Sequence, residues 1–206
     1  MAFPTVWYVT GLPKEMIDIV DRDISQFDDQ VERSVLSGPE QHDTTLRNSR
    51  NFWIKTNHWI GGWLWYYIQK ANRSNFMYDI SEIDGGSIQY THYEPGEFYT
   101  WHRDQFIESG YSRQIIPNSG DNLGEEEMMI QGENVRKLSF IVQMSDPHDY
   151  SGGEVQFYDD GGSWYMAPKQ RGTMIVFDSR VKHRVRKVKS GLRKSLVGWV
   201  VGPRWK

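Results

Sequence analysis

The chain has 206 residues, of which 38% are hydrophobic and 25% are charged, and its formal net charge is -3. This length and composition suit one globular domain and exclude a disordered chain or a helical membrane protein. The charge gives no overall attraction to nucleic acid or acidic lipid. Cysteine is absent, which excludes disulfides, zinc fingers and a cysteine nucleophile and leaves histidines and carboxylates as the strong metal ligands.

The first five residues lack a basic region followed by an apolar stretch and a cleavage site, the features of a secretory signal. We therefore expect a cytoplasmic protein. The longest apolar stretch, Trp59 to Ile68, is shorter than the roughly 20 residues that cross a bilayer. No membrane contact is expected.

Two amphipathic helices are predicted within residues 1–75. The first follows Pro13 and repeats apolar residues at helical spacing, namely Met16, Ile17, Val20, Ile24, Phe27 and Val31. Asn57 can cap the second, whose apolar face holds Ile60, Leu64, Tyr67, Ile68 and Ala71. We interpret residues 1–75 as a helical region that supports the rest of a single domain.

From Phe76 onward, short β-branched and aromatic runs are separated by Gly, Asp and Pro turns, which is typical of a β-sandwich or barrel. Strands are predicted at residues 76–81, 87–94, 98–104, 137–145, 154–159, 163–167, 173–178, 182–188 and 194–201. Residues 76–206 are therefore predicted to form the β core of the domain.

A candidate metal site begins at His102 and Asp104, which lie two residues apart on a predicted strand. Alternate residues of a strand project to the same face, so both side chains can bind one metal. His183 is the expected third ligand because it shares the inward parity of Val181 and Val185. Two histidines and one carboxylate on one face of a metal are typical of non-heme Fe(II) oxygenases.

His92 and Glu94 form a competing pair with the same two-residue spacing. Glu94 abuts the Pro95-Gly96 turn, where the strand should end. A single His-x-Asp or His-x-Glu pair is also weak evidence for a metal site unless its context supports it. We therefore rank the pair at His92 second.

Arg193 and Ser195 are also spaced by two residues and share their face with Val197 and Trp199. A buried arginine needs a partner, and the same strand carries no acidic residue. The carboxylate of a dicarboxylate co-substrate can supply that partner through two parallel hydrogen bonds. An unidentified acidic side chain elsewhere in the fold is the alternative.

The stretch from Tyr93 to Asp104 resembles the Tyr-x-x-Gly-x-x-Tyr-x-x-His-x-Asp segment of the prolyl 4-hydroxylase-like family of 2-oxoglutarate oxygenases. Further matches follow in the family's order, namely Leu138 to Val142 leading to Asp146, Gly152-Gly153-Glu154, and His183 with Gly191, Arg193 and Ser195. Upstream, Arg47-Asn48-Ser49 and Asn72 are also similar to family residues. The departures are the long segment 105–134 and Arg193, where the animal collagen enzymes use lysine.

The resemblance implies a mainly β fold with packing helices (α+β), arranged as a double-stranded β-helix of the jelly-roll or cupin kind. It implies that Fe(II) is held by His102, Asp104 and His183. It further implies that 2-oxoglutarate is held by Arg193 and Ser195 with assistance from Tyr93. O2 is then the oxidant, and ascorbate is an accessory reductant.

Tyr99 would border the substrate as a catalytic-site residue on the same resemblance. Strand parity alone turns Tyr99 and Trp101 away from His102 and Asp104, so this assignment requires a bulge or a rotated strand. The implied reaction hydroxylates a C–H bond of a prolyl or other peptidyl substrate and converts 2-oxoglutarate into succinate and CO2. A peptide or protein partner is expected, and nucleic acid is not.

The segment 105–134 does not fit a compact barrel, because loops this long are uncommon unless they are functional or disordered. It begins beside the expected ligand Asp104, and Glu125, Glu126 and Glu127 make it acidic. We expect a lid that accepts a neutral or basic peptide and repels a phosphate backbone. A surface insertion without a role is the alternative.

Two other functions stay open. A cupin-like module that binds metal or a small ligand without turnover has no need of a buried carboxylate anchor such as Arg193. Oxidative demethylation of nucleic acid is suggested by the basic residues between Arg180 and Lys194. Most of these alternate with inward residues, which favours a solvated strand face.

Overall fold

The computed structural model describes residues 6–9, 12–34, 45–105, 134–158 and 162–205. The α-helices within these ranges are α1 (Lys14–Ser25) and α2 (Trp59–Ala71). The strands are β1 (Val6–Val9), β2 (Glu32–Arg33), β3 (Arg47–Asn48), β4 (Arg50–Lys55), β5 (Glu82–Ile83), β6 (Ser87–Tyr93), β7 (Phe98–His102), β8 (Asn134–Gln143), β9 (Tyr150–Gly152), β10 (Val155–Tyr158), β11 (Trp164–Met166), β12 (Met174–Asp178), β13 (His183–Val185), β14 (Val188–Gly191) and β15 (Arg193–Pro203).

The larger sheet has the strand order β1-β12-β8-β15-β6-β4-β2, with β5 also paired to β15. Neighbouring strands are antiparallel, and β15 lies centrally, so that Leu196 is opposite both Tyr90 of β6 and Val142 of β8. Through this central strand, three segments that are far apart in the sequence become neighbours in one sheet.

The two helices cover one face of the larger sheet. Ile17, Val20 and Ile24 of α1 recur at three- and four-residue spacing and are at most 2% exposed, as an amphipathic helix requires. Leu64 and Ile68 of α2 are fully buried in the same hydrophobic cluster. Burying an aliphatic side chain of this size contributes about 1.5–3 kcal/mol, so this cluster fixes the helices to the sheet.

The smaller sheet has the order β11-β10-β13-β7-β3 and shares a second hydrophobic cluster with the opposite face of the larger sheet. Phe157 and Val185 of the smaller sheet pack there with Ile141 and Phe177 of the larger one. The expectation of a mainly β domain with packing helices is confirmed. No helix in the described ranges is long and apolar enough to span a bilayer.

Residues 1–75 contain strands as well as the two expected helices. β4 pairs with β6 along its whole length, and β3 pairs with β7 of the smaller sheet. Sequence reasoning missed β4 because its first four residues are all half-buried, without an in-out alternation. The cap of α2 is His58 rather than Asn57, since the Ile60 N–H donates to His58 Nδ1 at 3.4 Å.

The strand predicted at residues 76–81 is wrong. Residues Asn72–Phe76 form a π-helical turn, and the residues up to Ser81 have no regular structure. The Asn72 side chain causes this, because its amide donates to Tyr78 O and accepts from Tyr78 N–H, each at 2.9 Å. The predicted strand 182–188 is divided into β13 and β14. Residues 106–133 of the expected lid lie outside the described residues.

Candidate metal centre

β7 and β13 are neighbours in the smaller sheet and place His102 opposite His183. Asp104 follows β7, and its backbone N–H donates to Ser179 O at 3.0 Å. Nε2 of His102 lies 3.6 Å from Oδ1 of Asp104, and Nε2 of His183 lies 3.5 Å from Oδ2. The ligand atoms of the three side chains are all within 4.8 Å of one another. One metal ion can therefore contact all three.

Backbone carbonyls orient both imidazole rings. His102 Nδ1 lies 2.8 Å from Thr100 O, and His183 Nδ1 lies 3.0 Å from Val181 O. Because a carbonyl oxygen only accepts hydrogen bonds, we assign the proton of each ring to Nδ1. Each Nε2 then keeps a lone pair that points toward Asp104, which is the tautomer that a metal-binding histidine needs.

The charges around the site favour a deprotonated Asp104 beside a neutral His183. Burial raises the pKa of the Asp104 carboxyl, but His183 and His102 outweigh burial and hold that pKa well below its usual range. Burial lowers the pKa of His183 to about 4, His102 adds to that effect, and Asp104 opposes it. Metal ligands must be deprotonated, so these residues fit a divalent transition metal with open positions on one side.

Ser139 of β8 supports Asp104 and was missed by sequence reasoning. Its hydroxyl donates to Oδ2 of Asp104 at 2.7 Å and lies 2.9 Å from the Ser179 hydroxyl. Both serines are at most 1% exposed. The available signal was the shared inward parity of Ser139 and Ile141. It does not reveal the contact, which depends on the pairing of Ser139 with Phe177 in β12.

Arg193, at the start of β15, is 1% exposed. Its Nη1 donates to Ser195 Oγ at 3.2 Å and its Nη2 donates to Gln143 Oε1 at 2.9 Å. Its guanidinium carbon lies 5.3 Å from the centre of the Tyr93 ring. Sequence reasoning named Ser195 and Tyr93 as its neighbours but missed Gln143, which comes from β8.

Nε of Arg193 is buried without a hydrogen-bond partner, and the guanidinium forms no ion pair with a described carboxylate. The acidic side chain considered as an alternative partner is therefore absent from the described part of the chain. Burying an unpaired charge is strongly unfavourable. A ligand carboxylate would supply the missing charge and acceptor, so the arginine fits a dicarboxylate co-substrate.

One cavity between the two sheets joins the metal-site residues to the arginine. Its walls include His102, Asp104, His183, Arg193, Tyr93 and Tyr99. Ser195, which is fully buried, reaches this site through its contact with Arg193. The cavity therefore places a candidate metal site and a candidate carboxylate anchor in the same chamber.

Tyr99 reaches the cavity through a bulge in β7. Val185 is opposite Tyr99 and His183 is opposite His102, so three residue steps in β7 match two in β13. The Tyr99 ring stacks on His102 with centroids 3.5 Å apart, and burial raises the pKa of its hydroxyl to about 12. The bulge that the sequence analysis required is therefore present. Tyr99 lines the cavity with an uncharged hydroxyl.

The competing pair at His92 and Glu94 is not part of a metal-ligand cluster within the described ranges. His92 is buried, with Nε2 3.4 Å from Asp28 Oδ1, and Glu94 accepts from Arg50 Nη2 at 2.8 Å. Burial, Lys194 and Arg50 lower the pKa of His92 to about 4, against an opposing effect of Asp28. These contacts are those of a structural network.

The sequence profile of the 2OG-Fe(II) oxygenase superfamily matches residues 88–201. The chain is also similar to curated PKHD-type hydroxylases. It is 28% identical over 116 residues to one from Crocosphaera subtropica, covering 55% of this chain and 42% of the relative. It is 27% identical over 136 residues to one from Synechococcus elongatus, covering 65% and 52%. The chain thus spans about half or less of the length of these relatives.

Solved structures support the fold. A prolyl-4-hydroxylase from Pseudomonas putida superposes with a TM-score of 0.68 at 19% identity, covering 98% of this chain and 94% of that one. A Trichoplax adhaerens prolyl hydroxylase, in complex with a hypoxia inducible factor peptide fragment, gives 0.69 at 13% identity and covers 95% and 83%. At these identities the likeness concerns the arrangement of the strands and helices.

Proposed function

Because this chain belongs to the 2OG-Fe(II) oxygenase superfamily, we propose that it is an iron(II)- and 2-oxoglutarate-dependent dioxygenase that hydroxylates a peptidyl C–H bond. A prolyl residue is the first candidate. The observation that carries the proposal is the single cavity that holds both the His102, Asp104 and His183 cluster and the buried, unpaired Nε of Arg193.

His102, Asp104 and His183 would hold the iron through two Nε2 atoms and one carboxylate. When bound, iron and 2-oxoglutarate supply the activation of O2, with release of succinate and CO2 and transfer of one oxygen atom to the substrate. The carbonyls of Thr100 and Val181 keep both imidazole rings in the ligating tautomer. Ascorbate as an accessory reductant remains part of the proposal.

Arg193 would bind the far carboxylate of 2-oxoglutarate. Ser195 and Gln143 hold the two terminal nitrogens of its guanidinium, so the side chain is ordered before the ligand arrives and less entropy is lost on binding. The aromatic ring of Tyr93 lies beside the guanidinium of Arg193. Tyr99, stacked on His102, would help to exclude water and would border the substrate.

A peptide or protein substrate is supported by the structural neighbours named as prolyl hydroxylases, one of which was solved with a peptide fragment. Demethylation of nucleic acid is less well supported, since several cations of the basic stretch have partners within the chain. Arg180 pairs with Asp178, Arg186 with Glu154, and Lys194 with Asp28. A cytoplasmic location also remains a proposal, and cell fractionation tests it.

The test is succinate formation measured by mass spectrometry, with Fe(II), 2-oxoglutarate and a panel of peptides, free amino acids and nucleotides. A peptide that gains one oxygen atom for each succinate formed supports the proposal. His102→Ala, Asp104→Ala and His183→Ala should each abolish turnover in folded protein. His92→Ala is the matched control, because it removes a buried histidine outside the cluster, and should retain turnover.

Two results would contradict the proposal. If His102→Ala retains iron and a folded His92→Ala loses it, the metal site lies at the competing pair His92 and Glu94. Stimulation of succinate release by single-stranded DNA or RNA and by no peptide would replace peptide hydroxylation with nucleic-acid demethylation.

A further inference from the structure

Three cations on the outer face of the smaller sheet have no carboxylate partner among the residues that the structure describes. They are Lys182, Arg184 and Lys187, which we call the cationic face. Other cations of the domain are neutralised within the chain, for example Arg171 by Asp18 and Asp21. The cationic face is therefore a local positive surface on a chain whose formal net charge is -3.

Aromatic rings hold each of these cations in place. Lys182 Nζ lies 5.7 Å from the centre of the Tyr158 ring, and Lys187 Nζ lies 5.5 Å from that of Phe98. The guanidinium carbon of Arg184 lies 4.6 Å from the Trp101 ring, and its Nε donates to Gln156 Oε1 at 2.6 Å. Cation–π contacts within about 6 Å contribute about 0.5–1 kcal/mol at exposed sites and leave the charge of the cation unneutralised.

The cationic face adjoins the candidate active site. A surface groove of about 260 Å³ is lined by Phe98, Tyr99, Thr100 and residues 184–187, and Tyr99 and Val185 also line the metal cavity. Arg184 and His183 are consecutive residues of β13, so they project to opposite faces of the same strand. The groove and the cavity therefore lie on opposite sides of the smaller sheet and share Tyr99 and Val185 as walls.

Exposed apolar side chains extend the same surface. Met166 and Arg184 are both opposite Gln156, so they share the outer sheet face. Met166 and Trp164 of β11 are 46% and 55% exposed. The surface therefore offers cations beside apolar side chains, a combination that suits a polypeptide.

We propose that the cationic face binds an acidic stretch of the polypeptide substrate next to the residue that is hydroxylated. This inference rests on the proposed function and adds a substrate class to it, namely peptides with Asp or Glu near the target. Carboxylates complement cations that have no carboxylate partner among the described residues. Single-stranded nucleic acid is the less favoured occupant, because cations lie over three of the rings on this surface, Phe98, Trp101 and Tyr158, which leaves fewer ring faces for base stacking.

The experiment is a binding measurement that does not depend on turnover. Short fluorescein-labelled peptides with a central proline are titrated with the full chain, Fe(II) and 2-oxoglutarate without oxygen. One peptide carries Glu and Asp around the proline, and a second carries Gln and Asn. We expect about tenfold tighter binding of the acidic peptide at low salt, and loss of most of that difference at about 500 mM salt.

The test variant is Lys182→Gln/Arg184→Gln/Lys187→Gln, which should reduce the preference for the acidic peptide about tenfold. Lys14→Gln/Lys70→Gln/Arg73→Gln is the matched control, since it removes the same charge from exposed side chains on the helical side. The control should keep the preference. Lys187→Gln alone, at an exposed position, should lose part of it even if the triple variant unfolds.

Equal binding of the two peptides, or an equal loss in the control variant, overturns the inference. So does a single-stranded oligonucleotide that binds more tightly than the acidic peptide and depends on the same three residues. If the peptides bind more tightly after Glu125, Glu126 and Glu127 are changed to Gln, the chain's own acidic run occupies the cationic face. That result also overturns the inference.

Succinate release separates the two proposals. Turnover with neutral and acidic peptides alike overturns the inference and leaves the proposed function standing. Binding of the acidic peptide that depends on the cationic face, with no succinate from any peptide, supports the surface and overturns its link to hydroxylation.

Discussion

Replacing Ser139 by Ala should weaken metal binding, although the hydroxyl of Ser139 would not touch the metal. This hydroxyl donates to Oδ2 of Asp104 at 2.7 Å, and that oxygen also faces His183 Nε2 at 3.5 Å. Without the hydroxyl, the carboxylate can rotate away from the position that it needs as a ligand. Since Ser139 is 1% exposed, bulk water is poorly placed to replace the lost donor.

The size of the effect follows from the charge of the acceptor. A hydrogen bond to a charged group contributes about 1.5–3 kcal/mol, and each 1.4 kcal/mol is about tenfold in affinity. The metal dissociation constant should therefore rise about 10- to 100-fold, the range usual for residues that support metal ligands. Ser179→Ala removes only a neutral contact to Ser139, so its effect should stay below about fivefold.

The assay is titration of the metal-free chain with Co(II), followed by calorimetry or by visible absorbance, in the absence of 2-oxoglutarate. Ser139→Thr keeps a hydroxyl and should restore most of the affinity. Thermal unfolding of the metal-free variants separates a positioning role from a loss of stability. Wild-type Co(II) affinity in a folded Ser139→Ala variant would refute this reasoning.

Three further predictions test other parts of the structure. Arg193→Ala should raise the 2-oxoglutarate concentration needed for succinate formation about 100-fold and leave Co(II) affinity unchanged; an unchanged 2-oxoglutarate requirement contradicts the anchor. The pKa of His92 is about 4 in the folded chain, because of burial, against 6.5 for a free histidine. Between these values the unfolded chain binds a proton that the folded chain does not, so the free energy of unfolding falls as pH falls, and His92→Gln should remove up to about 3 kcal/mol of that loss. Urea unfolding at neutral and at acidic pH measures the loss in each protein. An equal loss in the wild type and in His92→Gln would contradict this prediction. Gly198→Ala should lower the free energy of unfolding in urea by about 1–3 kcal/mol, because its Cβ would lie 2.5 Å from Phe140 Cζ. The control Gly62→Ala meets nothing within 4 Å and should be neutral or stabilising. Equal stability of the two variants would show that Phe140 moves aside.

The sequence alone predicted the features that depend on neighbouring residues. Two-residue spacing placed His102 with Asp104 on one side of a strand, and alternation around His183 predicted its inward direction, because a strand turns every second side chain to the same face. Helical spacing likewise predicted α1, whose apolar stripe is buried. The mainly β class followed from the short runs separated by turn residues.

The tertiary structure decided what depends on strand pairing. Ser139 meets Asp104 because β8 pairs with β12, and Gln143 meets Arg193 because β8 pairs with β15. Tyr99 reaches the cavity through a bulge that is defined only against β13. Local periodicity carries no information about which strands pair or in which register. The three side chains of the candidate metal centre were therefore predictable, whereas the residues that hold and surround them were decided by contacts between segments far apart in the chain.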